Sequence, residues 1–137
     1  MQDLDARAKA EQLHLQAGQR YIKINAHIKV YGSRNAETEQ LARNGIEFIE
    51  AALKLVPDSP SYLNTYGLLV ADGLGDKKLG LDILQRAAQL APDDIQIRQN
   101  IRDLQIGRSI PRASSCGAVI AIFAVIVIIA IIVIASQ

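Results

Sequence analysis

Residues 41–60 read LARNGIEFIEAALKLVPDSP and residues 77–94 read KKLGLDILQRAAQLAPDD, and the two stretches resemble each other. Aligned on Pro57 and Pro92, 35 residues apart, they match at Gly45/Gly80, Ala52/Ala87, Leu55/Leu90 and Asp58/Asp93. In the first, Leu41, Gly45, Phe48, Ala52 and Leu55 recur at steps of three and four, which is the period of an amphipathic helix. Proline ends each helix, because it cannot donate to the backbone ladder. A repeat of this period is the signature of stacked helical hairpins.

Working outward from the repeat fills in the rest of an all-α domain. Ahead of the second stretch a helix is expected from Pro60 to about Asp72, joined to it by the turn Gly73-Leu74-Gly75-Asp76. After Pro92, Asp93 or Asp94 can cap a last helix, Ile95 to about Ile106, whose apolar stripe is Ile97, Ile101 and Leu104. Upstream, Ala10, Leu13, Ala17, Tyr21, Ile24, Ile28 and Tyr31 form one stripe. It predicts a long helix from about Leu4 to Val30, broken by Gly32-Ser33-Arg34-Asn35.

On these residues the chain resembles the tetratricopeptide repeat family, a helical hairpin of about 34 residues with small residues at helix crossings and a terminal proline. In the second repeat the resemblance covers Tyr66-Gly67, Val70, Gly75-Asp76, Gly80, Leu84, Ala87, Leu90 and Pro92. The departures are Leu63 or a shifted Tyr62 at the early aromatic, Gly80 at the usual alanine, and one extra residue before the turn. In the first repeat Ala17-Gly18 and Tyr21 stand in order, yet Tyr21 to Pro57 is about fifteen residues longer than the family pattern, roughly two added turns per helix. The expected fold is two such hairpins, the first lengthened, plus a closing helix, over residues 1–107.

The resemblance implies a ligand groove lined by the first helix of each hairpin. The positions it carries over are Gln12, Leu15, Gln19, Ile22 and Lys23 in the first repeat, and Asn64, Leu68 and Ala71 in the second. The basic and amide set with which chaperone-binding members grip a terminal carboxylate is absent, since Leu15, Gln19 and Thr65 stand at those places. A groove of this mix favours an apolar or amphipathic helix or an extended peptide; the competing reading packs Leu15 and Ile22 inside the domain. About three repeats are normally needed for a stable stack. Two plus a closing helix predict further stabilisation by self-association or by docking on a membrane protein.

Beyond the domain, Gly117 to Ala135 is nineteen residues without a polar side chain, twelve of them Ile or Val. With Ala113–Cys116 this gives about 23 helical residues, longer than a hydrocarbon core of about 30 Å. A domain this small could not surround such a helix, and its position excludes a cleaved leader. The polar spacer that a glycolipid-anchor signal requires is missing. Residues 113–135 are therefore expected to span the membrane as a C-terminal tail anchor, joined to the domain by the link 108–112. Arg98, Arg102, Arg108 and Arg112 precede the span and only Ser136 and Gln137 follow it, which predicts a cytoplasmic domain. An Ile/Val-rich span without a basic tail suits a bacterial inner membrane better than a eukaryotic organelle membrane. Gly117, Ala121 and Ala124 give one face of the span small residues, either an interface with other spans or plain filling.

Charge and chemistry narrow the function. Fifteen basic residues against fourteen acidic ones leave a formal net charge of +1, without the basic excess a nucleic-acid binder needs. The single cysteine, Cys116, permits no intramolecular disulfide; it reads as a small residue at a helix start or as a palmitoylation site. His14 and His27 lie on different faces of the long helix and read as surface or boundary residues. No phosphate loop, nucleophile elbow or zinc motif occurs, and neither an enzyme nor a cofactor is expected. Two functions remain: a membrane-anchored adaptor that binds a protein partner on the cytoplasmic face, or an accessory subunit of a larger membrane complex whose span packs among others. The adaptor layout is similar to that of the tetratricopeptide-class mitochondrial fission adaptor, although the basic residues that follow the span there are absent here.

Overall fold

A computed structural model describes residues 2–107, all helical apart from short turns. Helix α1 runs Gln2–Tyr31, α2 Ala36–Leu55, α3 Pro60–Leu68, α4 Lys77–Leu90 and α5 Ile95–Gln105. The link, the expected span and its Gly117, Ala121 and Ala124 face lie outside the described residues. Among the described residues no helix is long and apolar enough to cross a membrane.

Local chemistry sets each boundary. Gly32, at φ +72°, ends α1 in a conformation that side-chain-bearing residues avoid. Asn35 then opens α2 with a reciprocal capping box: its side chain accepts from the Thr38 N–H at 2.9 Å, while Thr38 Oγ1 accepts from the Asn35 N–H at 2.9 Å. That exchange satisfies Thr38 although it is fully buried. Ser59 caps α3 with Pro60 behind it, Asp76 caps α4, and Asp94 caps α5 by accepting from the N–H groups of Gln96 and Ile97.

The second hairpin departs from expectation in one respect. Its first helix does not continue as α-helix to Asp72; after Leu68 the backbone widens into a π-helical segment, Leu69–Leu74, closed by Gly75 at φ +82°. A π turn takes up one residue more than an α turn. This accommodates the residue that is one more than the tetratricopeptide pattern has before the turn, and the turn itself shortens to Gly75-Asp76.

Packing follows the apolar stripes. Ala10, Ala17 and Ile24 of α1 meet Ala42, Ile49 and Ala52 of α2, with Tyr62 and Leu69 completing the cluster. The buried face of α2 is turned slightly from the expected one: Ala42 and Ile49 are fully buried, whereas Leu55 lies partly in solvent. Tyr31 also leaves its expected stripe and is 70% exposed, because α1 outruns the part of the stack that could cover it. Two smaller clusters join the second hairpin to α5: Leu63, Ala87 and Ile97, and then Ala71, Leu84 and Leu104. Burying a side chain such as Ile24 or Ile49 contributes about 1.5–3 kcal/mol.

Candidate partner-binding face

Three hydrogen bonds tie α1 to the first helix of the second hairpin, all at one sequence separation. Tyr62 Oη donates to Glu11 Oε2 at 3.2 Å, His14 Nε2 lies 2.9 Å from Thr65 Oγ1, and Tyr21 Oη donates to Asp72 Oδ2 at 2.8 Å. Each pair is 51 residues apart, so the two helices run parallel in fixed register. Thr65 Oγ1 also donates to the Ser61 carbonyl at 3.3 Å. The His14 ring also stacks on Tyr62, centroids 4.7 Å apart.

Burial is the larger influence on the Tyr21–Asp72 pair. It pushes the Tyr21 hydroxyl far above its ordinary value, with the Asp72 charge adding to the shift. Burial likewise raises the Asp72 carboxyl, opposed by the Tyr21 hydrogen bond and the fields of Lys77 and Arg34. The π segment carries Asp72 at this level. Below it opens a cleft of about 510 Å³ between the α1–α2 turn and the start of α4, lined by Ser33, Arg34, Glu39, Asp72 and Lys77 among others.

Against this frame, the eight residues that the resemblance points to fall into two sets. Gln12, Leu15, Gln19, Ile22 and Lys23 of α1 are all exposed, with Leu15 at 58% and Ile22 at 67%. The reading that packed Leu15 and Ile22 inside the domain therefore does not hold. These residues lie opposite the buried Ala10–Ala17–Ile24 stripe, so α1 carries two exposed apolar side chains, Leu15 and Ile22, among polar ones on its outward face. The second-hairpin residues are engaged within the domain instead. Asn64 Oδ1 accepts from Asn100 Nδ2 of α5 at 2.8 Å, Leu68 packs beside Leu104, and Ala71 is fully buried. The closing helix thus occupies the half of the groove that Asn64, Leu68 and Ala71 would line. Asn100 carried no signal in the sequence, because a polar pair across two helices becomes visible only once their register is known.

Among the described residues no group of three His, Cys, Asp or Glu side chains could hold a metal ion. His27 stacks on Tyr31 at 4.5 Å near the end of α1. No family model, no curated protein and no solved structure matches the chain.

Proposed function

We propose that the chain is a membrane-anchored protein-interaction module of tetratricopeptide type, held by residues 113–135 with its helical domain on the cytoplasmic face. The observation that carries this reading is the outward face of α1, where Leu15 and Ile22 stand exposed between Gln12, Gln19 and Lys23. Isolated exposed apolar residues need no explanation, but an apolar row at helical spacing on the face opposite the core does. With α5 filling the other half of the groove, the free surface suits a partner helix with its own apolar face better than an extended peptide. Polar side chains that flank the row supply register.

The test is site-specific photo-crosslinking from Gln12, Gln19 and Lys23 in the membrane-inserted, full-length protein. Adducts to one protein are expected from these positions, and they are lost in the Leu15→Glu/Ile22→Glu double variant. Adducts that survive that variant unchanged would remove α1 as the docking face. If stoichiometric polytopic subunits co-purify instead, and replacement of Ala121 and Ala124 by bulky residues releases them, the accessory-subunit reading takes over.

A further inference from the structure

The end of the domain from which the chain departs is shaped for a lipid surface. The separation of 51 residues aligns α1 with the first helix of the second hairpin. The Asn64–Asn100 bond aligns that helix with α5 at a separation of 36, and Leu68 and Leu104 share a cluster at the same separation. The three helices α1, α3 and α5 are therefore parallel, and their C-terminal ends share one end of the stack. Carrying these separations along the chain sets Gly107 level with Ala71 and with Arg20. From that level α1 continues to Tyr31, a further projection of about 16 Å at about 1.5 Å per residue. Residues 108–112, fully extended, span at most about 17 Å. The tip of the α1–α2 hairpin thus projects about as far as the link can reach, so a membrane entered at about residue 113 lies within a few ångströms of it.

The tip has the composition this placement demands. Val30 is 73% and Tyr31 70% exposed, and the His27 ring stacks on Tyr31. Lys29 and Arg34 flank them, and Lys77 and Lys78 stand exposed at the neighbouring turn. None of these four cations forms a contact ion pair among the described residues, although Arg34 and Lys77 line the cleft with Glu39 and Asp72 and oppose the burial that raises the Asp72 carboxyl. Four carboxylates stand among these cations, so the tip is mixed in charge, and each is also engaged within the fold. Glu37 and Glu39 complement the partial positive charge at the α2 N-terminus, Asp76 caps α4, and Asp72 is held by Tyr21. An exposed aliphatic–tyrosine pair with the exposed Lys29 beside it suits the interface of an anionic bilayer, where tyrosine settles at headgroup depth and lysine meets phosphates.

We infer that the α1–α2 tip docks on the anionic lipid surface beside the anchor, with Val30 and Tyr31 entering the headgroup region and Lys29, Arg34, Lys77 and Lys78 over the phosphates. Such docking fixes the tilt of the domain and turns the exposed α1 face to a partner in the same membrane. The inference rests on the reading of residues 113–135 as a span. The experiment therefore uses the full-length chain with Cys116→Ser and a single new cysteine, Val30→Cys, Tyr31→Cys or, at the opposite end of the stack, Asp93→Cys. Each is labelled with an environment-sensitive fluorophore and reconstituted into vesicles of phosphatidylcholine with or without phosphatidylglycerol. Flotation with the vesicles reports the anchor alone. Docking is expected to raise the emission at positions 30 and 31 several-fold with a blue shift, and to expose them to quenchers on shallow lipid positions. The rise should need phosphatidylglycerol, should vanish with Lys29→Glu/Arg34→Glu, and should be absent at position 93. Vesicles that float while positions 30 and 31 report water as position 93 does would overturn the docking and leave the anchor standing. A chain that fails to float overturns both.

Discussion

Gly67 of α3 and Gly80 of α4 cross so closely that each occupies the space of the other's missing side chain. A β-carbon on Gly67 would lie 2.9 Å from the Gly80 carbonyl oxygen, and one on Gly80 would lie 2.7 Å from the Gly67 carbonyl oxygen. Leu84 Cγ at 2.8 Å from the first and Ala71 Cβ at 2.6 Å from the second are closer still, and because backbone is also in the way the crossing must open before either site accepts a methyl group. Gly67→Ala or Gly80→Ala is expected to cost about 1–3 kcal/mol, as overpacking does, despite the better helix propensity of alanine. In thermal unfolding followed by circular dichroism, each kcal/mol should lower the midpoint by about 4–8 °C. The double variant should cost clearly less than the sum, since one separation of the helices relieves both clashes. Additive losses would mean that the two glycines act apart.

Gly18 is the contrasting case. It lies inside α1, and a β-carbon there would meet nothing within 4 Å. Gly18→Ala should stabilise the domain by about 0.5–1 kcal/mol, the helix-propensity gain alone. The gain should appear in the same unfolding experiment; a loss would show that something packs on this face.

Tyr21 and Asp72 set a pH signature. Burial raises both pKa values, so the folded protein holds both protons more tightly than the unfolded chain. Stability associated with each group is therefore complete below its unfolded pKa and falls as pH rises toward the folded value. For Asp72 the decline begins near about pH 4, and for Tyr21 above about pH 10. Asp72→Asn keeps an acceptor for the Tyr21 hydroxyl and removes the first decline, so its unfolding free energy should depend less on pH above about pH 4. Tyr21→Phe removes the hydrogen bond and strands a buried carboxylate, a loss of about 1–3 kcal/mol at neutral pH. Wild-type and Asp72→Asn profiles that run parallel would show that Asp72 is not buried as a charge.

Period and punctuation made most of the helical domain legible. The recurrence of Ala10, Ala17 and Ile24 marked the core face of α1, and proline, glycine and aspartate marked the helix ends. Less legible was what depends on register between helices. The extra residue before Gly75 was visible, but a π segment and a longer turn both accommodate it, and only the packing of Leu69 and Ala71 decides between them. Asn64 and Leu68 looked free because their positions resemble groove positions. That α5 covers them depends on how far the closing helix wraps, which its own stripe of Ile97, Ile101 and Leu104 does not state.

Ile22 and Ile24 sit two residues apart on α1 and should separate binding from folding. Ile24 is fully buried against the α2 core, whereas Ile22 is 67% exposed on the opposite face. Ile24→Ala removes buried methylenes and leaves a cavity, so a loss of about 2–5 kcal/mol is expected. Ile22→Ala removes side-chain atoms that already touch water and should stay within about 0.5 kcal/mol of wild type. Crosslinking from Gln19 in the membrane-inserted protein should respond the other way round. Ile22→Ala should weaken the adduct while the domain stays folded, because an anchor at the centre of a helix–helix contact carries much of its energy. Should Ile22→Ala unfold the domain as Ile24→Ala does, the face is part of the core; should it leave the crosslink intact, the partner docks elsewhere.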